Sequence, residues 1–224
     1  WYAVARSVEV TTAPVKVRLL ATDIVLFRSA AGVSAMPDRC PHREAPLSVG
    51  TVNDGCLVCP YHGWTFDAEG RCVRVPSASD TVPPPPRAHL TAFPCVERYG
   101  LVWVSVGTPP PDVPVVSQES DPSFRRINTP VEVWQTSATR MTDNFLDITH
   151  FPWVHTGTFG KGQETKVPRF ELAELDNGWF GYAYEVKANN AGLGTLADVI
   201  ASTTSAMATM RAPSGIASWL SPSG

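Results

Sequence analysis

The sequence predicts an all-β N-terminal domain followed by an α+β domain built on an antiparallel sheet. Three observations carry that reading. Short β-rich runs separated by turn residues fill positions 1–106 without a long amphipathic helix. A proline-dense tract, Gly107-Thr108-Pro109-Pro110-Pro111-Asp112-Val113-Pro114, then interrupts any central strand or helix. Beyond it the apolar pattern shifts to a helical period and then to a hairpin.

The elements follow in order. Val15-Lys16-Val17-Arg18-Leu19-Leu20 and Ile24-Val25-Leu26-Phe27-Arg28 read as strands, with Gly32 in the turn after the second. Cys56–Cys59 and Cys72–Val75 are two more, and Phe66-Asp67-Ala68-Glu69-Gly70 between them signals a hairpin. Pro83–Pro86 predicts an extended surface loop, and Tyr99–Val106 is the strongest strand. The tract at 109–114 is the expected linker, giving domains over 1–108 and 115–224. After it, Val131–Thr136 alternates like a strand. Arg140–His150 reads as a helix with Met141, Phe145 and Ile148 on one face and Pro152 as its terminator. Phe170–Leu175 and Trp179–Val186 flank the turn Asp176-Asn177-Gly178 as a hairpin.

Composition narrows the function. Of 224 residues, 43% are hydrophobic and 17% charged, which excludes a disordered chain. A net charge of −3 offers no polyelectrolyte attraction to nucleic acid or an anionic membrane. No apolar run approaches the roughly eighteen residues of a spanning helix. The chain opens on Trp1-Tyr2-Ala3-Val4 without a signal-peptide pattern or initiator Met and ends at Pro222-Ser223-Gly224, so it reads as a fragment of a longer cytoplasmic protein. Five cysteines cannot all pair as disulfides. Four of the five histidines fall into two groups, His42 with His62 and His150 with His155.

Cys40-Pro41-His42 and Cys59-Pro60-Tyr61-His62 each offer one thiolate and one imidazole. Such a set suits a tetrahedral zinc ion or a 2Fe–2S cluster of the Rieske type. Mixed Cys/His loops favour the cluster, in which both thiolates hold one iron and both imidazoles the other. Cys56, Cys72 and Cys95 read as small core residues, and His89 as a surface residue.

Cys40-Pro41-His42-Arg43 and Cys59-Pro60-Tyr61-His62-Gly63-Trp64, with Phe66-Asp67 and Gly70 behind them, resemble the cluster loops of Rieske non-haem iron oxygenases. The resemblance implies that Tyr61, Gly63 and Trp64 shape and shield the second loop. Alone, His150-x4-His155 is as compatible with packing as with a metal. Downstream of such a domain, though, Asn144-x2-Asp147-x2-His150-x4-His155 resembles the mononuclear iron motif of the same family.

By that resemblance His150 and His155 are ligands of a mononuclear Fe(II) in a 2-His-1-carboxylate site. Asp147 is the bridge between a neighbouring subunit's cluster and this iron, and Asn144 lies beside the iron. The third, carboxylate ligand is expected beyond residue 224, since Asp176 and Asp198 read as turn and surface residues. The family further implies electrons from NAD(P)H through a flavin/iron-sulfur reductase or a ferredoxin, O2 as oxidant, a small and commonly aromatic organic substrate, and a homotrimer. The competing readings are a Rieske electron carrier without oxygenase activity, which leaves the second motif unused, and a zinc-stabilised binding module, which explains neither motif.

Overall fold

The computed structural model describes residues 1–171 except 80, 110, 111, 114, 158, 159, 161, 163, 168 and 170, and beyond them the backbone of strands 173–175, 179–188, 201–209 and 218–220. Two compact units divide between Val113 and Pro114, at the end of the proline tract, and Asn128–Val131 returns to the first.

The first unit is all β. Strands β1 (Tyr2–Arg6), β2 (Val15–Leu19), β3 (Thr22–Ser29), β4 (Gly32–Pro37), β5 (Thr51–Asn53), β6 (Cys56–Val58), β7 (Thr65–Phe66), β8 (Cys72–Arg74), β9 (Cys95–Arg98) and β10 (Leu101–Val104) form three antiparallel sheets, in the orders β1-β10-β9, β2-β3-β4 and β5-β6-β7-β8. Strand β3 explains how they share a core. Side chains alternate across a strand, and here both faces are apolar: Ile24 and Leu26 join one buried cluster with Ala5, Val10, Val102 and Val104. Val25 and Phe27 join the other, with Met36, Leu57, Phe66 and both Cys40 and Cys59. All four β3 side chains are fully buried, each worth about 1.5–3 kcal/mol of transfer free energy.

Several expected strands are trimmed by turns in left-handed geometry. Leu20 and Ala21 (φ 47° and 65°) turn β2 into β3, and Tyr99-Gly100 (φ 60° and 69°) turns β9 into β10, so the strand foreseen from Tyr99 begins at Leu101. Asp54-Gly55 (φ 50° and 73°) turns β5 into β6. Positive φ at both central residues matches the right-handed twist of a two-residue hairpin.

In the second unit, β11 (Arg125–Ile127) pairs with β15 (Ser218–Leu220). The hairpin β12 (Ala173–Leu175) and β13 (Trp179–Ala188) continues into β14 (Ala201–Thr209), giving the expected antiparallel sheet. Its turn residues 176–178 lie outside the described residues.

Two expectations are corrected here. Val131–Thr136 forms no strand: its side chains are exposed and no strand among the described residues pairs with it, so alternation alone does not make a ladder. The helix foreseen over 140–150 is α1 (Ala138–Leu146), capped by the Ser137 hydroxyl accepting the Arg140 N–H at 3.2 Å. It stops before Asp147, which is extended (φ −82°, ψ 117°). Pro152 therefore terminates nothing. It sits in the first turn of a separate short helix, α2 (Phe151–Val154), where a missing N–H costs no intrahelical bond.

Candidate metal centres

The two cysteine loops are the same turn built twice. In the first, the Cys40 N–H donates to Ala45 O (2.9 Å) and the Glu44 N–H to Cys40 O (2.8 Å). In the second, the Cys59 N–H donates to Trp64 O (2.8 Å) and the Gly63 N–H to Cys59 O (3.1 Å). Each loop needs a left-handed residue at the same place, Glu44 (φ 60°) and Gly63 (φ 70°). Only the second uses the residue that adopts it without strain.

The loops bring their side chains together. Cys40 and Cys59 are both buried and unoxidised. Burial pushes the Cys40 thiol up to about 11, and the adjacent Cys59 thiol adds to the shift. The His42 and His62 rings lie 4.7 Å apart, tilted by 59°. His42 stacks flat on Trp64 (4.5 Å, 2°), and Tyr61 lies 3.9 Å from His62. His42 Nδ1 is buried without a hydrogen-bond partner among the described residues, an orphan costing on the order of 1–3 kcal/mol unless something coordinates it. Burial, with His62 and Arg43 nearby, lowers the His42 pKa and favours the neutral, ligating form. Two buried thiols, two neighbouring imidazoles and an orphaned ring nitrogen fit a Rieske cluster. Among the described residues no three His, Cys, Asp or Glu side chains are arranged around a single ion.

His150 and His155 flank α2 as its N-cap and C-cap residues. The helical turn between them brings their rings to 5.2 Å. Asp147 and His150 do not lie on α1, although the expected helix ran through both, because the chain leaves it at Asp147. Asp147 reaches His150 through a turn instead. Its Oδ1 accepts the Thr149 N–H (2.7 Å) and hydroxyl (2.5 Å), while Oδ2 lies 3.2 Å from His150 Nδ1. The Thr149 hydroxyl and N–H, then His150, hold the Asp147 carboxyl below the usual carboxylate range. A carboxylate can only accept, so this contact places the proton on His150 Nδ1 and leaves Nε2 free for a metal. Asn144 is exposed on α1, with no hydrogen bond to His150 among the described residues.

Two features escape the sequence motifs. Gly160 is buried against α2, its N–H donating to His155 O at 3.0 Å. His89 is exposed as expected, yet its Nδ1 accepts the Cys72 N–H at 3.1 Å, fastening β8. Cys72 is buried, and Cys56 and Cys95 are half-buried.

A sheet-built domain with two matched Cys/His loops is followed by a histidine pair supported by a carboxylate. Residues 1–94 match the Rieske [2Fe-2S] domain family and residues 134–211 the vanillate O-demethylase oxygenase C-terminal domain family. The chain belongs to the Rieske oxygenases.

It is 35% identical over 180 residues to the methylxanthine N1-demethylase NdmA of Pseudomonas putida, covering 80% of this chain and 51% of that protein. The solved structure of Pseudomonas putida NdmA superposes with a TM-score of 0.76 at 32% identity, over 84% of this chain and 59% of that one. A dicamba monooxygenase structure with non-heme iron and dicamba gives 0.66 at 29% identity, over 84% and 53%. The chain thus spans about half the length of the curated relatives it matches.

Proposed function

We propose that this chain is part of the terminal oxygenase component of a Rieske non-haem iron oxygenase, with Cys40, Cys59, His42 and His62 holding the cluster and His150 and His155 holding a mononuclear Fe(II). When bound, the cluster supplies one-electron storage and the mononuclear iron supplies O2 activation. The protein's own part is positional. Cys40 and Cys59 present thiolates from a buried floor, and the Trp64 ring fixes the plane of His42. Asp147 holds the Nδ1 proton of His150, which sets the tautomer and aims Nε2 outward. In an assembly the same carboxylate would accept a hydrogen bond from a cluster histidine of a neighbouring subunit, the homotrimer being the arrangement that supplies one. Asn144 would lie at the rim of the site.

Electrons would come from NAD(P)H through a flavin/iron-sulfur reductase or a ferredoxin, and the substrate is a small organic molecule. The names of the relatives favour removal of an N- or O-methyl group over ring dihydroxylation. No helix among the described residues is long and apolar enough to cross a membrane. A cytoplasmic reaction is part of the proposal and rests on the need for an NAD(P)H-linked reductase.

The observation carrying the oxygenase reading over a bare electron carrier is the Asp147–His150–His155 arrangement, which a carrier does not need. His155→Ala tests it. Supplied with reductase, O2 and a methylated aromatic substrate, this variant keeps the cluster's visible and EPR signals and loses product. Unchanged product formation and iron content would refute the assignment.

A further inference from the structure

We propose that Asp38 and Ser48 form a positioning brace that closes the first cluster loop and sets the aim of Cys40 and His42. The inference deepens the cluster reading above and rests on it. The two loops carry the same internal hydrogen bonds but are closed differently at the base. The second springs from β6 and β7, whose pair Val58↔Thr65 closes the backbone directly outside Cys59 and Trp64. The first leaves β4 at Pro37 and returns through Pro46 into a 3-10 turn over Leu47–Val49, and no ladder joins β4 to that turn. A side chain does the joining. The Asp38 carboxylate, with no side-chain exposure, accepts the Ser48 N–H through Oδ1 and the Ser48 hydroxyl through Oδ2, both at 2.7 Å.

Three further observations make this a device rather than an incidental contact. Pro46 precedes the 3-10 turn and offers no side-chain acceptor, and among the described residues the Ser48 N–H is satisfied by Asp38 alone. The backbone of Asp38 is itself anchored, its N–H donating to Asp23 O at 2.9 Å. Lys16 Nζ, 3.5 Å from Asp38 Oδ2 and 3.0 Å from Asp23, balances the buried charge. The path from β3 through Asp38 to Ser48 therefore spans the segment holding Cys40 and His42. Charge-assisted bonds to a buried carboxylate are short and directional, so losing them frees the loop's far end while leaving both ligands in place.

The test uses the iron-loaded protein carrying Asp38→Ala, Ser48→Ala or Ser48→Thr, and reads the g-values and midpoint potential of the reduced cluster with the rate of iron release to a chelator. Asp38→Ala and Ser48→Ala should shift and broaden the g-values, move the potential, and release iron on the order of tenfold faster. Ser48→Thr keeps both donors and should restore the wild-type signature, which a general loss of stability would not. If Asp38→Ala does not fold, Ser48→Ala decides alone. Wild-type g-values, potential and release rate in Ser48→Ala would overturn the brace. A wild-type protein without a Rieske signal would sink the cluster reading and the brace with it.

Discussion

Gly160 offers a way to disturb the proposed mononuclear centre without touching either proposed ligand, His150 or His155. A methyl group at its Cα would stand 2.0 Å from Phe151 O, 2.8 Å from the Phe151 carbonyl carbon and 2.9 Å from His155 O. All three obstacles are backbone, so no rotamer change relieves them. The main chain must separate, and the bonds in the way are His155 N–H to Phe151 O and Gly160 N–H to His155 O, both 3.0 Å. Each contributes roughly 1 kcal/mol net, so Gly160→Ala should disfavour the geometry that brings His150 and His155 together by about 2 kcal/mol, or about thirtyfold. The assay is titration of the metal-depleted protein with Fe(II), followed by iron per chain and the EPR of the reduced cluster. The variant should keep the Rieske signal while binding the mononuclear iron at least tenfold more weakly. Gly157→Ala is the control, since nothing lies within 4 Å of a Cβ there. Wild-type affinity for the mononuclear iron in Gly160→Ala would refute the reasoning.

Cys40→Ser and His62→Ala should each abolish the Rieske visible spectrum, and retention of wild-type absorption in either would return the loop to ordinary packing. Asp147→Asn should keep both metals but, by losing the acceptor that fixes the His150 tautomer, lower product formation by a hundredfold or so; near-normal cluster oxidation in rapid mixing would argue against a conduit through this residue. In the first unit, Glu97 is held below its usual range, chiefly by the Arg28 guanidinium and despite partial burial, which raises it. A depressed carboxyl stabilises the fold fully above its unfolded pKa and loses that contribution as pH falls through the folded value. The stability lost in Glu97→Gln, about 1 kcal/mol for a partly exposed pair, should be measurable by urea unfolding at pH 7 and disappear in acid well below pH 4. A difference that grows on acidification would contradict this sign.

The two Cys/His loops were legible as loops because each thiol–imidazole pair lies within a few consecutive residues, Cys40 with His42 and Cys59 with His62. His150 and His155 stood out in the sequence as a pair, but the turn that brings their rings together did not. A 3.6-residue period carried through Asp147 ignores the Thr149 N–H and hydroxyl, which compete for its carboxylate and end α1 a turn early. Val131–Thr136 misled for a related reason, since alternation describes a strand only when a neighbour exists to pair with it. The contacts that fasten the first unit were out of reach: Arg28 donates to Val10 O and Ser7 O and binds Glu97, far along the chain. No periodicity announces such a partner. The Asp54-Gly55 turn, an Asp-Gly pair between Thr51-Val52-Asn53 and Cys56-Leu57-Val58, brings β5 back onto β6, and the polar residues before it hid the first of the two strands.

That hairpin has a consequence for how the metal and the fold depend on each other. Cys40 and Cys59 stand nineteen positions apart, and gathering the ends of a free loop of that length costs about 2–3 kcal/mol of chain-closure entropy. Here the β5–β6 ladder and the core under both loops meet that cost during folding, before any ligand bond forms. Iron and sulfide would enter a mould already cast, unlike a zinc finger, whose metal must drive the folding itself. Chelated of its iron, the N-terminal unit should therefore remain folded and accept a cluster again.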